Sequence, residues 1–225
     1  HGGEAIACQV GTSRIWCMHS ESILKNMLET PNNVEAWQIC KGPRHFATTM
    51  VSQFAMSWME TITRPKVYVQ WGGASELSNY DDSCRTTVDV ASRADVHISV
   101  DPRMANMGKE ADYWQHLRPG TDGALALGFI HVMLRDGLYD KDFVEKWTHG
   151  FDELSGYVQE FTPERVEEIT WVPAAKLEEA VRIICENAPA TLVSSSAGAC
   201  HATNVGNFQR AVYSIIALTG DLDVA

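Results

Sequence analysis

The run from Lys66 to Arg103 constrains the fold of this chain more than any other stretch. Lys66-Val67-Tyr68-Val69-Gln70-Trp71 is β-prone and breaks at Gly72-Gly73. A helix through Cys84, Val88 and Val90 follows, then a second β-prone run, Val96-His97-Ile98-Ser99-Val100, ending at Asp101-Pro102-Arg103. Strand, glycine break, helix, strand is a right-handed parallel unit, because a parallel neighbour needs a long crossover. Ligands of such sheets bind beyond the carboxyl ends of the strands. Gly72-Gly73 and Asp101-Pro102-Arg103 both fall there.

The flanking sequence extends the same pattern. Ala5 to Val10 reads as a buried strand, and Ser20 caps a helix whose apolar face carries Ile23, Leu24, Met27 and Leu28. Gly42-Pro43 makes a turn, and a second helix is expected from near His45 to about Thr61. Thr121-Asp122 opens a helix through Leu125, Phe129 and Met133. Asp140 caps the next, and residues 151–172 read as short polar connecting pieces. Pro173 is expected in the first turn of a helix through Leu177 and Ile184. Ala190 to Ser194 is a third parallel strand. It exits through Gly198-Ala199-Cys200-His201 into a helix running to Leu218. Trp71, Trp114 and Trp147 read as packing residues. The expectation is a Rossmann-like layered α/β fold with a mainly parallel sheet, part of a larger multidomain protein.

Composition narrows the function. With 225 residues, 45% of them hydrophobic, the chain can bury a sizeable core. Its 29 acidic and 18 basic side chains give a net charge of -11, which repels a nucleic-acid backbone. No uninterrupted apolar run is long enough to span a membrane. The six cysteines lie far apart with no C-x-x-C pair, so zinc and iron–sulfur sites of that kind are excluded.

Three exit loops and one cysteine carry candidate chemistry. Gly72-Gly73 permits close backbone approach to a pyrophosphate, although the dinucleotide fingerprint G-x-G-x-x-G is absent. Asp101 is either an acceptor for ribose hydroxyls or a base edge, or a turn residue. Arg103 is either a phosphate fork or a solvated side chain. Asp122 complements a helix dipole or receives the N1–H and amine of guanine, and Thr121 is a cap or a ligand contact. His201 either donates to a phosphate or a pterin ring, or ties its loop down. Cys40 is flanked by Lys41 and Arg44 on the Gly42-Pro43 turn, surroundings that favour thiolate. No metal-ligand cluster surrounds it, so a metal bound there arrives inside a cofactor. His45 is a proton-transfer candidate or a satisfied polar residue.

Taken together, these segments resemble the molybdopterin-dinucleotide oxidoreductases related to dimethyl sulfoxide reductase and formate dehydrogenase. The likeness rests on His1-Gly2-Gly3-Glu4-Ala5-Ile6-Ala7, Ile39-Cys40-Lys41-Gly42-Pro43 and Val69-Gln70-Trp71-Gly72-Gly73. It rests further on Asp101-Pro102-Arg103, then Ala111-Asp112, then the run Arg118-Pro119-Gly120-Thr121-Asp122-Gly123-Ala124-Leu125, and on the segment from Gly198 and His201 to Gly220. Two departures stand out. Ala74-Ser75 replaces the family's Asn-Pro, and Lys41 replaces the histidine that follows the metal ligand in formate dehydrogenases.

The resemblance implies molybdenum or tungsten held by two pterin guanine dinucleotides, with Cys40 as the protein's metal ligand and His45 beside it. It implies cofactor contacts at Gly72, Gly73, Asp101, Arg103, Gly120, Thr121, Asp122, Gly198 and His201. Residues 1–60 would belong to the family's second domain, 61–188 to its dinucleotide-binding domain and 189–225 to a return into the second. A [4Fe-4S] cluster is expected only in a preceding part of the protein. Expected partners are a small-molecule substrate, further domains of the same protein and an iron–sulfur electron-transfer subunit. The activity implied is two-electron transfer of an oxygen, hydroxyl or hydride equivalent. A cofactor-less scaffold, or a non-redox hydratase or transhydroxylase of the same family, is the alternative. The compartment, cytoplasm or periplasm, stays open.

Overall fold

The computed structural model describes residues 2–9, 23–34, 42–52, 64–78, 82–104, 107–195 and 197–222. They form two compact units, His1–Pro43 and Arg44–Ala225. In the first, β1 (Ala7–Gln9) pairs in parallel with β2 (Asn32–Val34), a strand the sequence had not suggested. Thr30 Oγ1 donates to Ile6 O and Asn32 Nδ2 to Glu4 O at 2.8 Å, tying the two strands at their start. Residues 23–27 are helical as expected, but the apolar side chains Ile23, Leu24 and Met27 are exposed.

The second unit is built on four parallel strands in the order β5-β4-β3-β6. These are β3 (Val67–Trp71), β4 (Val96–Val100), β5 (Tyr113–Gln115) and β6 (Thr191–Ser195). Successive strand residues point to opposite faces. Val67, Val69, Trp71, Ile98, Val100 and Val193 enter the main core. Helices Asp122–Arg135, Ala174–Glu186 and Val205–Leu218 contribute Leu125, Phe129, Leu177, Ile184, Val212 and Ile215 to that core. On the other face Tyr68 and Leu192 meet Val90 and Ala91 of helix Asp82–Arg93. Helices therefore cover both sides of the sheet, and the layered parallel fold expected from the sequence is the one observed. Each fully buried Leu, Ile or Val contributes roughly 1.5–3 kcal/mol.

Several local readings change. Residues 151–172 contain helices Phe151–Tyr157 and Pro163–Thr170, the second capped by Thr162, whose Oγ1 accepts from Arg165 N at 3.3 Å. Their many acids mark solvated helix faces, which the sequence reading took for connections. Pro173 occupies the cap position of helix Ala174–Glu186, one residue before its first turn. Trp147 is 77% exposed and does not pack. Asp140 caps helix Lys141–Trp147 as expected, accepting from Phe143 N at 2.8 Å. The helix expected from His45 starts at Gly42 and is described to Ser52; its expected continuation lies outside the described residues.

Candidate functional site at the carboxyl edge of the sheet

All four strands of the larger sheet end on one edge, and their exits are hydrogen-bonded to one another. Gly72 N donates to Val100 O at 2.8 Å, Gly198 N to Gly72 O at 2.9 Å and Asp101 N to Gln115 O at 3.4 Å. The chain leaves β3 toward β4 and β5 on one side, while β6 is added on the other. The point where the order reverses lies between β3 and β6, the usual position of a ligand crevice. Gly72 and Gly198 meet there. Gly72 has φ of 60°, and a Cβ on it would stand 2.7 Å from Ala199 N. A Cβ on Gly198 would stand 2.5 Å from Gly72 O. Both glycines are thus required by the fit of one loop on the other.

Gly73 is held from below. Gln70 Nε2 donates to Gly73 O at 2.6 Å, and Gln70 Oε1 lies 3.0 Å from His97 Nε2. An amide oxygen only accepts, so His97 Nε2 carries the hydrogen. The His97 ring stacks on Tyr68 with centroids 5.3 Å apart, and burial lowers its pKa against the opposing pull of Asp112. Gln70 and His97 were not among the residues expected at the site. Two polar residues inside otherwise apolar strands were the available signal.

Asp101 and Asp122 both stand at the carboxyl edge of the sheet, the first after β4 and the second hydrogen-bonded to the last residue of β3. Asp101 Oδ1 accepts from Arg103 N at 2.8 Å, the turn geometry anticipated for it, and its carbonyl accepts from Trp114 Nε1 at 2.9 Å. Burial raises its pKa, with Arg103 opposing. Arg103 itself is exposed. Asp122 is 8% exposed, opens helix Asp122–Arg135, and through Oδ1 accepts from Trp71 Nε1 at 2.9 Å. Burial raises its pKa first; the Trp71 bond works against that rise, and the negative charge of Asp101 adds to it. The two carboxylates are therefore within electrostatic reach. A carboxylate oxygen accepts more than one donor, so Asp122 can hold Trp71 and still face a ligand. Thr121 stands at the cap position, but its Oγ1 donates to Arg118 O at 2.6 Å and does not cap the helix.

A cleft of about 890 Å³ joins two of the exit loops. Gly120, Thr121, Asp122 and Gly123 line one wall, Ala199 and Asn204 the other. Gly120 has φ of 82° with open space where a Cβ would stand. His201, in the turn after Cys200, is exposed. Cys200 is buried and accepts from Gln209 Nε2 at 3.2 Å. His45 is half-buried in the first turn of helix Gly42–Ser52, whereas Cys40 and Lys41 lie outside the described residues. Among the described residues no group of three His, Cys, Asp or Glu is placed to hold a metal ion. Asp122, on the wall of an open cleft edged by Gly120 and Gly123, has the acceptor that the N–H donors of a guanine nucleotide tail would need. A metal at such a site would bring its principal ligands with it.

No family model matches the chain. Over 149 residues, 66% of its length, the chain is 91% identical to a dopamine dehydroxylase of Eggerthella lenta. It is 34% identical over 126 residues to the thiosulfate reductase molybdopterin-containing subunit PhsA of Salmonella typhimurium. Among solved structures, acetylene hydratase from Pelobacter acetylenicus superposes with a TM-score of 0.77 at 28% identity, covering 88% of this chain and 27% of that one. The chain belongs to the molybdopterin oxidoreductase superfamily of the dimethyl sulfoxide reductase and formate dehydrogenase type. It spans 15% of the length of the dopamine dehydroxylase it matches. No helix among the described residues is long and apolar enough to cross a membrane.

Proposed function

We propose that this chain holds guanine-dinucleotide tails for a bis-pterin molybdenum or tungsten oxidoreductase that removes a hydroxyl group from dopamine or a similar phenolic amine. Asp122 on the wall of the cleft, where the charge of Asp101 is felt at its carboxylate, carries the cofactor part of this reading. The 91% identity to a dopamine dehydroxylase supports the substrate part.

When bound, the metal supplies a two-electron change of oxidation state. The residues of this chain bind and orient. Asp101 and Asp122 accept from the N1–H and amine of guanine; Gly72, Gly73, Gly120 and Thr121 admit the ribose and phosphates; Arg103 offers charge at the rim; Gly198 and His201 bound the pterin side. Cys40 would be the protein's ligand to the metal, and His45, five residues on, would hold a proton beside it. Electrons arrive through an iron–sulfur partner.

The longer protein of which this chain is part, purified without oxygen, should contain about one Mo or W and release about two guanine nucleotides on acid treatment. It should consume dopamine when a reduced dye supplies electrons. Metal analysis showing neither element, in a host with an intact cofactor pathway, removes the enzyme reading in favour of a scaffold. Cys40→Ala should keep the guanine content and lose turnover; full activity in that variant excludes Cys40 as the ligand.

A further inference from the structure

Beneath the Gly72-Gly73 turn lies a connected set of buried polar groups. Gln70 and His97 are each 4% exposed, although their strands are otherwise mostly apolar. In register, Tyr68 stands opposite His97 and Gln70 opposite Ser99. All four side chains therefore share the sheet face away from the main core. His97 reaches diagonally to Gln70, its Nε2–H donating to Oε1 at 3.0 Å. The amide nitrogen of Gln70 then donates to Gly73 O at 2.6 Å and Glu76 Oε2 at 3.5 Å. Glu76 Oε1 accepts from Met107 N at 3.4 Å. Through Glu76, one amide joins the segments that leave β3 and β4.

A buried hydrogen-bonded pair of this kind adds little net stability over apolar side chains of the same shape. What it adds is orientation. With His97 donating to its oxygen, the Gln70 amide presents its N–H groups to the turn. Three contacts grip that turn. Gly72 N–H donates to Val100 O, Gly198 N–H to Gly72 O, and Gln70 to Gly73 O. The first two run from main chain to main chain. The third comes from a side chain, so it is the one that a substitution can remove. Ala199 follows Gly198, lies against Gly72 and lines the cleft, so a shift of the turn reaches the cleft wall.

We propose that His97 and Gln70 are positioning residues: the His97 donor fixes the Gln70 amide, and the amide holds the Gly73 carbonyl back toward β3, which sets the turn that a guanine dinucleotide approaches. This rests on the cofactor reading above.

The test uses the longer protein, purified with its cofactor and without oxygen. It follows the rate at which guanine nucleotide leaves on mild warming, and the unfolding midpoint. His97→Phe keeps a flat ring against Tyr68 and loses the donor. It should release guanine nucleotide roughly tenfold faster or more, the effect of one unsatisfied buried acceptor. His97→Gln loses the ring but carries an amide N–H at the reach of Nε2, and should stay within about threefold of the parent. Combining His97→Phe with Gln70→Met removes both buried partners together. That double variant should recover the midpoint lost in His97→Phe yet keep the fast release. Recovery of midpoint and slow release together would make the network purely structural and overturn the proposal. Release from His97→Phe no faster than from His97→Gln overturns it equally, and that comparison decides alone if the double variant does not fold. A parent without guanine nucleotide overturns the cofactor reading, and this proposal with it.

Discussion

At the scale of single residues, Asp122 does two jobs that pull in different directions. It ties the start of a helix to Trp71, 51 positions earlier, and it is a buried carboxylate whose ionisation the charge of Asp101 opposes. Asp122→Ala leaves the buried Trp71 N–H without an acceptor and should cost about 1–3 kcal/mol in a denaturant titration. Asp122→Asn keeps an acceptor and removes the charge. Because burial raises the folded-state pKa of Asp122, the ionised group weighs against folding at neutral pH. The parent regains that stability as pH falls through the raised pKa, where the carboxyl takes up its proton. The melting advantage of Asn over Asp should therefore be greatest near pH 7 and shrink on acidification; an advantage that grows instead contradicts the assignment. The pairing itself was hidden in the sequence. Asp122 was visible as a helix-opening acid, but nothing local says that an indole 51 positions earlier in the chain is its partner.

Among elements, the two glycine loops act as one joint. Gly198→Ala drives a methyl group against the Gly72 carbonyl, and Gly72→Ala combines positive φ with a clash on the Ala199 backbone. Each should lower stability by about 1–3 kcal/mol, measured by thermal or chemical unfolding. Sequence reasoning placed both glycines at strand exits and assigned them to ligand approach. Their mutual contact depends on β6 lying next to β3, and strand order cannot be inferred from hydrophobic patterning. β3, β4 and β6 were legible because apolar and β-branched residues dominate them. β5 was missed because three residues, Tyr113-Trp114-Gln115, give too short a pattern to stand out. Helices 151–157 and 163–170 were missed for a related reason. They are short, seven and eight residues, and carry few apolar side chains, so the pattern is thin, although the Thr162-Pro163 start signal was present.

For the whole molecule, the main core binds the sheet to helices from three distant parts of the chain. Leu177, fully buried and in contact with the site a Cβ on Gly128 would need, shows how closely those helices fit. Leu177→Ala should cost about 2–5 kcal/mol and lower the unfolding midpoint of the whole second unit together. A variant that melts in two separate steps would instead mean that the layers fold independently. The switch-point crevice inherits its shape from this core, so damage at Leu177 should also weaken guanosine binding without touching the site.

The central strand of the sheet has one long-delayed neighbour. β3 pairs with β4 after about 30 residues but with β6 only after about 120. During synthesis, an emerging chain holds a hydrogen-bonding edge of β3 open through the translation of everything between, and bare strand edges recruit other chains. Ribosomes stalled before Thr191 should accordingly carry nascent chains that cling to a holdase chaperone, and release should follow once Ser195 clears the exit tunnel.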